Sequence, residues 1–192
     1  MSSALERRGV VRALLAPRKP ELLVVGGIGS SSWDIAAIAD NPRDFCLVGG
    51  MGLAVPLGLG LAIARPNNRI LVITGDGDML MGMGALATVA QHQPQNLMMV
   101  VLDNERYGET GSQPTHTAGV TDLAAIAAGA GIPQTSTVRS ESELSGMIRT
   151  IHEDEGPAFY VVKISGDMPE TVLPSLDGAF VKDRFRASVL EN

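Results

Sequence analysis

The chain has 192 residues, enough for one medium α/β domain with a full core and short for two. Its net charge of −6 argues against nucleic acid as a partner, because neutralising phosphates takes clustered Lys and Arg. No apolar run approaches the ~20 residues that span a bilayer, and Leu14-Leu15 run straight into Ala16-Pro17-Arg18-Lys19 without a secretory pattern, so a cytoplasmic protein with no membrane partner is expected.

Residues 1–20 read as an N-terminal extension. Its Arg7, Arg8, Arg12, Arg18 and Lys19 suggest a solvated, partly mobile basic end. Residues 21–192 read as a single domain. Glu21 to Val25 is the first predicted strand, ending at Gly26-Gly27-Ile28-Gly29-Ser30. Trp33 to Ala39 is a short helix stopped by Asp40-Asn41-Pro42. Strand Phe45 to Val48 contains the single cysteine, Cys46, which reads as a small buried hydrophobe and leaves no thiolates for a four-cysteine iron–sulfur cluster. Helix Leu53 to Ala64 follows, then strand Ile70 to Thr74, helix Ala85 to His92 and strand Leu97 to Leu102. A loop rich in Gly, Ser, Thr and Pro covers Tyr107 to Thr121. Helix Leu123 to Gly129, strand Thr135 to Val138 and helix Glu141 to Glu153 come next, the last capped by Ser140 with Glu143 as its capping-box partner. Strand Ala158 to Ile164, a second long loop from Ser165 to Asp177 and a helix from Ala179 to Leu190 close the chain. Alternating strands and helices predict an α/β fold: a doubly wound, largely parallel sheet with helices on both faces.

Chemistry concentrates where two strands end. Gly75-Asp76-Gly77 follows one buried strand and Asp103-Asn104 follows the next, so a parallel β-α-β unit sets Asp76 beside Asn104 at the carboxyl edge, where open sheets bind ligands. A carboxylate plus an amide carbonyl suits Mg²⁺, which prefers hard oxygens and is completed by substrate phosphates and water. Gly75 and Gly77 let the backbone approach a diphosphate, and a following helix offers its first N–H groups to the anion. A dinucleotide fingerprint starting at Gly75 fails, because its third glycine would fall on Leu80. Met79, Met81 and Met83 read as core or subunit-interface packing. His116, in a polar loop at the active edge, is a candidate for substrate contact or proton shuttling; His92 and His152 have no motif around them.

Gly-Asp-Gly followed by an Asn at the end of the next strand resembles the signature of thiamine-diphosphate-dependent enzymes. The similarity extends upstream to Gly49-Gly50-Met51-Gly52-Leu53-Ala54 and downstream to Glu105-Arg106-Tyr107-Gly108-Glu109-Thr110-Gly111, so it covers residues 45 to 165. The resemblance implies the diphosphate-binding domain, with thiamine diphosphate and Mg²⁺ as cofactors. It assigns Met51 as the apolar wedge under the thiazolium ring and the Gly49 carbonyl as acceptor from the aminopyrimidine. It also makes Gly50, Gly75, Asp76, Gly77, Asp78, Asn104, Arg106, Tyr107 and Gly108 cofactor contacts. Asp76, Asn104 and the main-chain carbonyl of Arg106 become the metal ligands.

The pattern departs from many relatives at Asp78, where a small Ser or Ala is common, and at Asp103, which replaces the first Asn of a pair. A second carboxylate near a diphosphate costs repulsion unless it points away or reaches the metal through water. The Glu that activates the cofactor belongs, in this superfamily, to a pyrimidine-binding domain, and no segment here is long enough to be one. A separate pyrimidine-binding, α-type subunit is therefore expected, in a dimer or α2β2 assembly. Among split relatives, the run Met79 to Ala87, then Asp103-Asn104 and Tyr107 to Thr115, most resembles the sulfopyruvate decarboxylase β subunit, related to the phosphonopyruvate decarboxylases that carry both halves in one chain. That implies non-oxidative decarboxylation of a small 2-oxo acid carrying a second anionic group. The alternatives are a β subunit of a 2-oxo acid oxidoreductase or carboligase, and a degenerate scaffold subunit without cofactor.

Overall fold

Strands buried on both faces need continuous apolar runs, and four runs of that kind form the middle of the sheet. In a computed structural model describing residues 5–190, these are β1 (Leu22–Gly26), β3 (Arg69–Gly75), β4 (Leu97–Asp103) and β8 (Ala158–Lys163). The shorter β2 (Asp44–Cys46) and the more polar β7 (Gln134–Val138) are the edges. All six strands are parallel, in the order β2-β1-β3-β4-β8-β7. A two-stranded antiparallel ribbon, β5 (Arg106–Tyr107) with β6 (Gln113–Pro114), folds out of the loop after β4.

Alternate side chains serve opposite faces, as the pleat requires. Val24, Leu71, Ile73, Met98 and Val100 face one layer of helices, α1 (Arg7–Leu15), α2 (Ser30–Ile38) and α7 (Glu141–Glu153). Leu23, Val25, Val72, Met99 and Val101 face the other, α3 (Ala54–Ala64), α5 (Gly84–His92) and α6 (Leu123–Ala130), with Phe185 and Val189 of α8 (Gly178–Leu190). The doubly wound α/β expectation holds. Among the described residues no helix is long and apolar enough to cross a membrane.

Most expected elements occupy their predicted places, and α7 agrees at both ends. Its capping box is shifted by one position: Ser140 accepts from Glu143 N at 3.4 Å, while the Glu143 carboxylate accepts from Arg139 N at 2.7 Å. Three features differ from the sequence reading. The helix after β1 starts at Ser30 rather than Trp33, and a short α4 (Asp76–Met81) begins on the aspartate itself. The segment from Tyr107 is a ribbon rather than an open loop, with one 3₁₀ turn (Gly108–Thr110) linking its two strands and a second (His116–Ala118) following them.

The basic N-terminal segment is packed into the fold, although Arg12 and Lys19 are exposed. Glu6 caps α1 by accepting from Arg8 N and Gly9 N at 2.8 and 2.6 Å, and Val10, Val11, Leu14 and Leu15 are buried in the core. Arg7 and Arg8 both pair with Asp34 of α2, a partner that the local run of positive charge does not reveal. Leu5 bridges to Ile164, bringing this segment to the carboxyl end of β8.

Candidate functional site

The chain leaves β1 toward β2 on one side and returns with β3 on the other, so the strand order reverses between β1 and β3. Open α/β sheets bind ligands outside such a switch point, at the carboxyl ends of the strands. A cleft of about 220 Å³ lies there. Ile28, Ser30 and Trp33 wall it from the turn after β1, and Met51 from the loop before α3. Gly75, Asp76, Gly77 and Asp78 come from the end of β3, and Leu102, Asn104, Arg106, Tyr107 and Gly108 from the end of β4. Glu109 and Thr110 of the following turn, with Arg7, Ile164 and Met168, complete the wall.

Asp76 is buried at the floor. Thr115 Oγ donates to its Oδ2 at 2.6 Å, and Thr117 Oγ lies 3.2 Å from the same oxygen. No other side chain among the described residues hydrogen-bonds to Asp76. Thr117 Oγ also reaches Asp103 Oδ1 at 2.8 Å, and Lys163 Nζ sits 2.7 Å from Asp103 Oδ2. Burial pushes the Asp76 carboxyl up to about 6, against the Thr115 hydrogen bond and with help from the Asp103 charge. Lys163, between Asp103 and Glu105, is pushed down by burial but held above its ordinary value by those two carboxylates.

Asn104 Oδ1 accepts from Arg106 N at 3.0 Å, which fixes the amide with its oxygen in the cleft wall. Pro114 faces Arg106 across the ribbon and has no N–H to place on the Arg106 carbonyl. The Arg106 side chain is exposed and donates to Ser112 O at 3.1 Å. Asp78 points away from the strand-end pair: it accepts from Thr74 Oγ1 and from Gly52 N, and so anchors the Met51 loop to β3. Gly52 has φ +87° and packs backbone to backbone on Gly82, leaving no room for a Cβ at either. Met51 and the ring of Tyr107 flank Gly77, where a Cβ would meet the ring carbons at 2.7 Å.

Nine expected contacts therefore line one cleft: Met51, Gly75, Asp76, Gly77, Asp78, Asn104, Arg106, Tyr107 and Gly108. Gly49 and Gly50 are exposed and lie outside its wall. His116 lies outside this cleft. It begins a 3₁₀ turn with its side chain exposed, while Thr115 and Thr117 on either side point inward. His92 is also exposed; His152 is buried, with Nε2 2.8 Å from Leu14 O, and burial lowers its pKa.

Residues 27–162 match the family model of the thiamine pyrophosphate enzymes' C-terminal TPP binding domain. The chain belongs to this family. Its sequence is 35% identical to sulfopyruvate decarboxylase subunit beta of Methanothermobacter thermautotrophicus, covering 94% of each chain. It is 36% identical to the subunit of that name from Methanocaldococcus jannaschii, over 71% of each. Phosphonopyruvate decarboxylase of Streptomyces viridochromogenes is 37% identical over 95% of this chain, which spans only 46% of that protein. A solved thiamin diphosphate-dependent enzyme from Mycobacterium smegmatis superposes with a TM-score of 0.71 at 27% identity, over 84% of this chain and 32% of the other.

The donors of this TPP-binding domain suit the cofactor's charged end. No cluster of three or more His, Cys, Asp or Glu side chains able to hold a metal occurs among the described residues. A cation at Asp76 would have to draw on amide and main-chain oxygens and on a bound phosphate, a set that Mg²⁺ accepts and softer metals do not favour. The α2 N-terminus, preceded by Gly29 at φ +71°, has no side-chain cap on its first N–H groups, and the Glu109 carboxylate packed against Gly29 has to turn aside for an anion to reach them. Sequence reasoning missed the β1-end wall and Arg7, and it placed the two threonines in the active-edge loop without their hydrogen bonds to Asp76. The first was legible as a glycine-rich strand end. The threonines needed the ribbon that folds them back onto Asp76.

Proposed function

We propose that this chain is the diphosphate-binding β-type subunit of a thiamine-diphosphate-dependent 2-oxo acid decarboxylase, of the sulfopyruvate or phosphonopyruvate kind. The observation that carries the reading is the meeting of Asp76 and Asn104 in one cleft, within a chain alike over nearly its whole length to a decarboxylase β subunit. Asp76, Asn104 and the Arg106 carbonyl would hold Mg²⁺, and the first N–H groups of α2 would receive the cofactor's diphosphate. Met51 and Tyr107 shape the floor around Gly77, and buried Leu102 and Ile164 give the wall its apolar part. Thiamine diphosphate, when bound, supplies the electron sink for loss of CO₂. The protein's part is to bind it, orient it and keep its surroundings dry.

A pyrimidine-binding α-type subunit supplies the activating Glu. Exposed Leu53, Ile63 and Met81 line an apolar groove between α3 and α5 that is continuous with Met51. An exposed apolar patch of this sort marks a protein interface, and a partner seated there would reach the open side of the cleft. The groove supports an assembly with a partner, a dimer or α2β2. The test is co-expression with a pyrimidine-binding partner and assay of CO₂ release from 3-sulfopyruvate, 3-phosphonopyruvate and pyruvate. Release from an acid with a second anionic group, dependent on thiamine diphosphate and Mg²⁺, is expected. Cofactor-independent activity, or none from a stable complex, would contradict the reading.

A further inference from the structure

Arg7 is 97% withdrawn from solvent, its side chain being 3% exposed, yet it lines the cleft. Its Nε donates to Asp34 Oδ2 and its Nη2 lies 3.5 Å from Asp34 Oδ1, so one edge of the guanidinium is taken. No hydrogen bond engages Nη1 among the described residues. Asp34 is fully buried and is shared: Arg8 Nε donates to its Oδ1 at 3.0 Å. Two guanidinium groups on one carboxylate leave the cluster with one positive charge in excess. A guanidinium so placed is pre-oriented, with three of its five N–H donors unspent, two of them on Nη1, and planar forks of this kind match phosphate and sulfonate oxygens. The other cation of the cleft, Arg106, is exposed and bonded to Ser112 O, so Arg7 is the one fixed in the wall.

We propose that Arg7 is an anion-recognising residue of the cleft, receiving a phosphate or sulfonate oxygen on Nη1, with Asp34 holding the fork and Arg8 supplying the charge that Asp34 would otherwise cancel. This rests on the cofactor reading above and names a residue for the anion. Two sources share that chemistry: the cofactor's diphosphate and the second acidic group of the substrate.

The test uses the full chain and Trp33, the sole tryptophan, which lines the cleft and reports binding by fluorescence. One arm titrates inorganic pyrophosphate with Mg²⁺. The other titrates sulfoacetate onto protein saturated with Mg²⁺ and thiamine diphosphate. Arg7→Met is expected to weaken binding about tenfold or more in one arm, and the arm affected identifies the source. Arg7→Lys, with charge but no fork, falls between, and Arg8→Met loses only roughly two- to threefold because it stands behind the contact. Equal losses for Arg7→Met and Arg8→Met would reduce the cluster to a tie between α1 and α2 and overturn the proposal. So would wild-type binding of both probes by a folded Arg7→Met. If that variant does not fold, Arg7→Met with Asp34→Asn removes the buried unpaired carboxylate and answers the same question. Asp76→Ala separates the two ideas: if it abolishes Mg²⁺-dependent pyrophosphate binding while Arg7→Met changes neither arm, the cofactor reading stands and the Arg7 proposal falls. Wild type silent to both probes sinks both.

Discussion

At Asp76 the two carboxylate oxygens have different surroundings. Thr115 and Thr117 crowd Oδ2, and no side chain among the described residues hydrogen-bonds to the other oxygen, the one proposed to meet the cation. Thr117→Val removes a hydroxyl that also bonds Asp103, so the fold should survive while affinity for Mg²⁺ with thiamine diphosphate drops about tenfold, measured by Trp33 fluorescence. The same site predicts a pH dependence. With its folded-state carboxyl at about 6, Asp76 takes up a proton as pH falls through that value, and a protonated acid competes with the metal. Mg²⁺-dependent cofactor binding should therefore weaken between pH 7 and 5; a flat profile would place the metal elsewhere. Asp76 and Asn104 were legible from sequence because strand ends in a parallel sheet are neighbours. Asp78 was legible as a departure but not in its role, since the hydrogen bonds to Thr74 and Gly52 that turn it away exist only once the Met51 loop packs on β3.

Elements hold these residues through a few unforgiving contacts. Asp34 ties α1 to α2 by accepting from two arginines with no solvent access, so Asp34→Ala strands buried positive charge. A loss of ~3–5 kcal/mol is expected in urea unfolding, far above that for an exposed pair. A result near zero would mean that water reaches the cluster. Gly82→Ala would drive a methyl into the Gly52 carbonyl and displace the Met51 loop, with cofactor affinity lost in step with stability. The sheet and most helices could be read from sequence because unbroken apolar runs and 3.6-residue spacing each leave one packing solution. The α1 helix was read wrongly because its arginines were judged without the acid that neutralises them, which lies in the next helix. The ribbon after β4 escaped because two-residue strands carry no periodicity.

The whole molecule carries a second buried acid whose titration is separable from the cleft. Asp44, at the β2 edge, has Arg18 Nη1 at 2.6 Å from Oδ1, but burial outweighs that partner and pushes the carboxyl up to about 6 from 3.8. A raised folded-state pKa means protonation favours the fold: the stabilisation is full below the unfolded value and is lost as pH rises through about 6. Asp44→Asn should therefore be more stable than wild type by roughly 2 kcal/mol at pH 7.5, with the difference fading below pH ~4. A difference independent of pH would assign the effect to packing instead. The central claim, that the cleft built at the switch point receives a magnesium-held diphosphate, is tested most directly by thermal unfolding of the full chain. Wild type and Asp76→Ala are each compared with Mg²⁺ plus thiamine diphosphate and with Mg²⁺ plus thiamine. At ~100 times its dissociation constant the diphosphate should stabilise wild type by ~2.7 kcal/mol, thiamine should do nothing, and Asp76→Ala should erase the shift. Equal stabilisation by thiamine, or a shift that survives Asp76→Ala, would contradict the account.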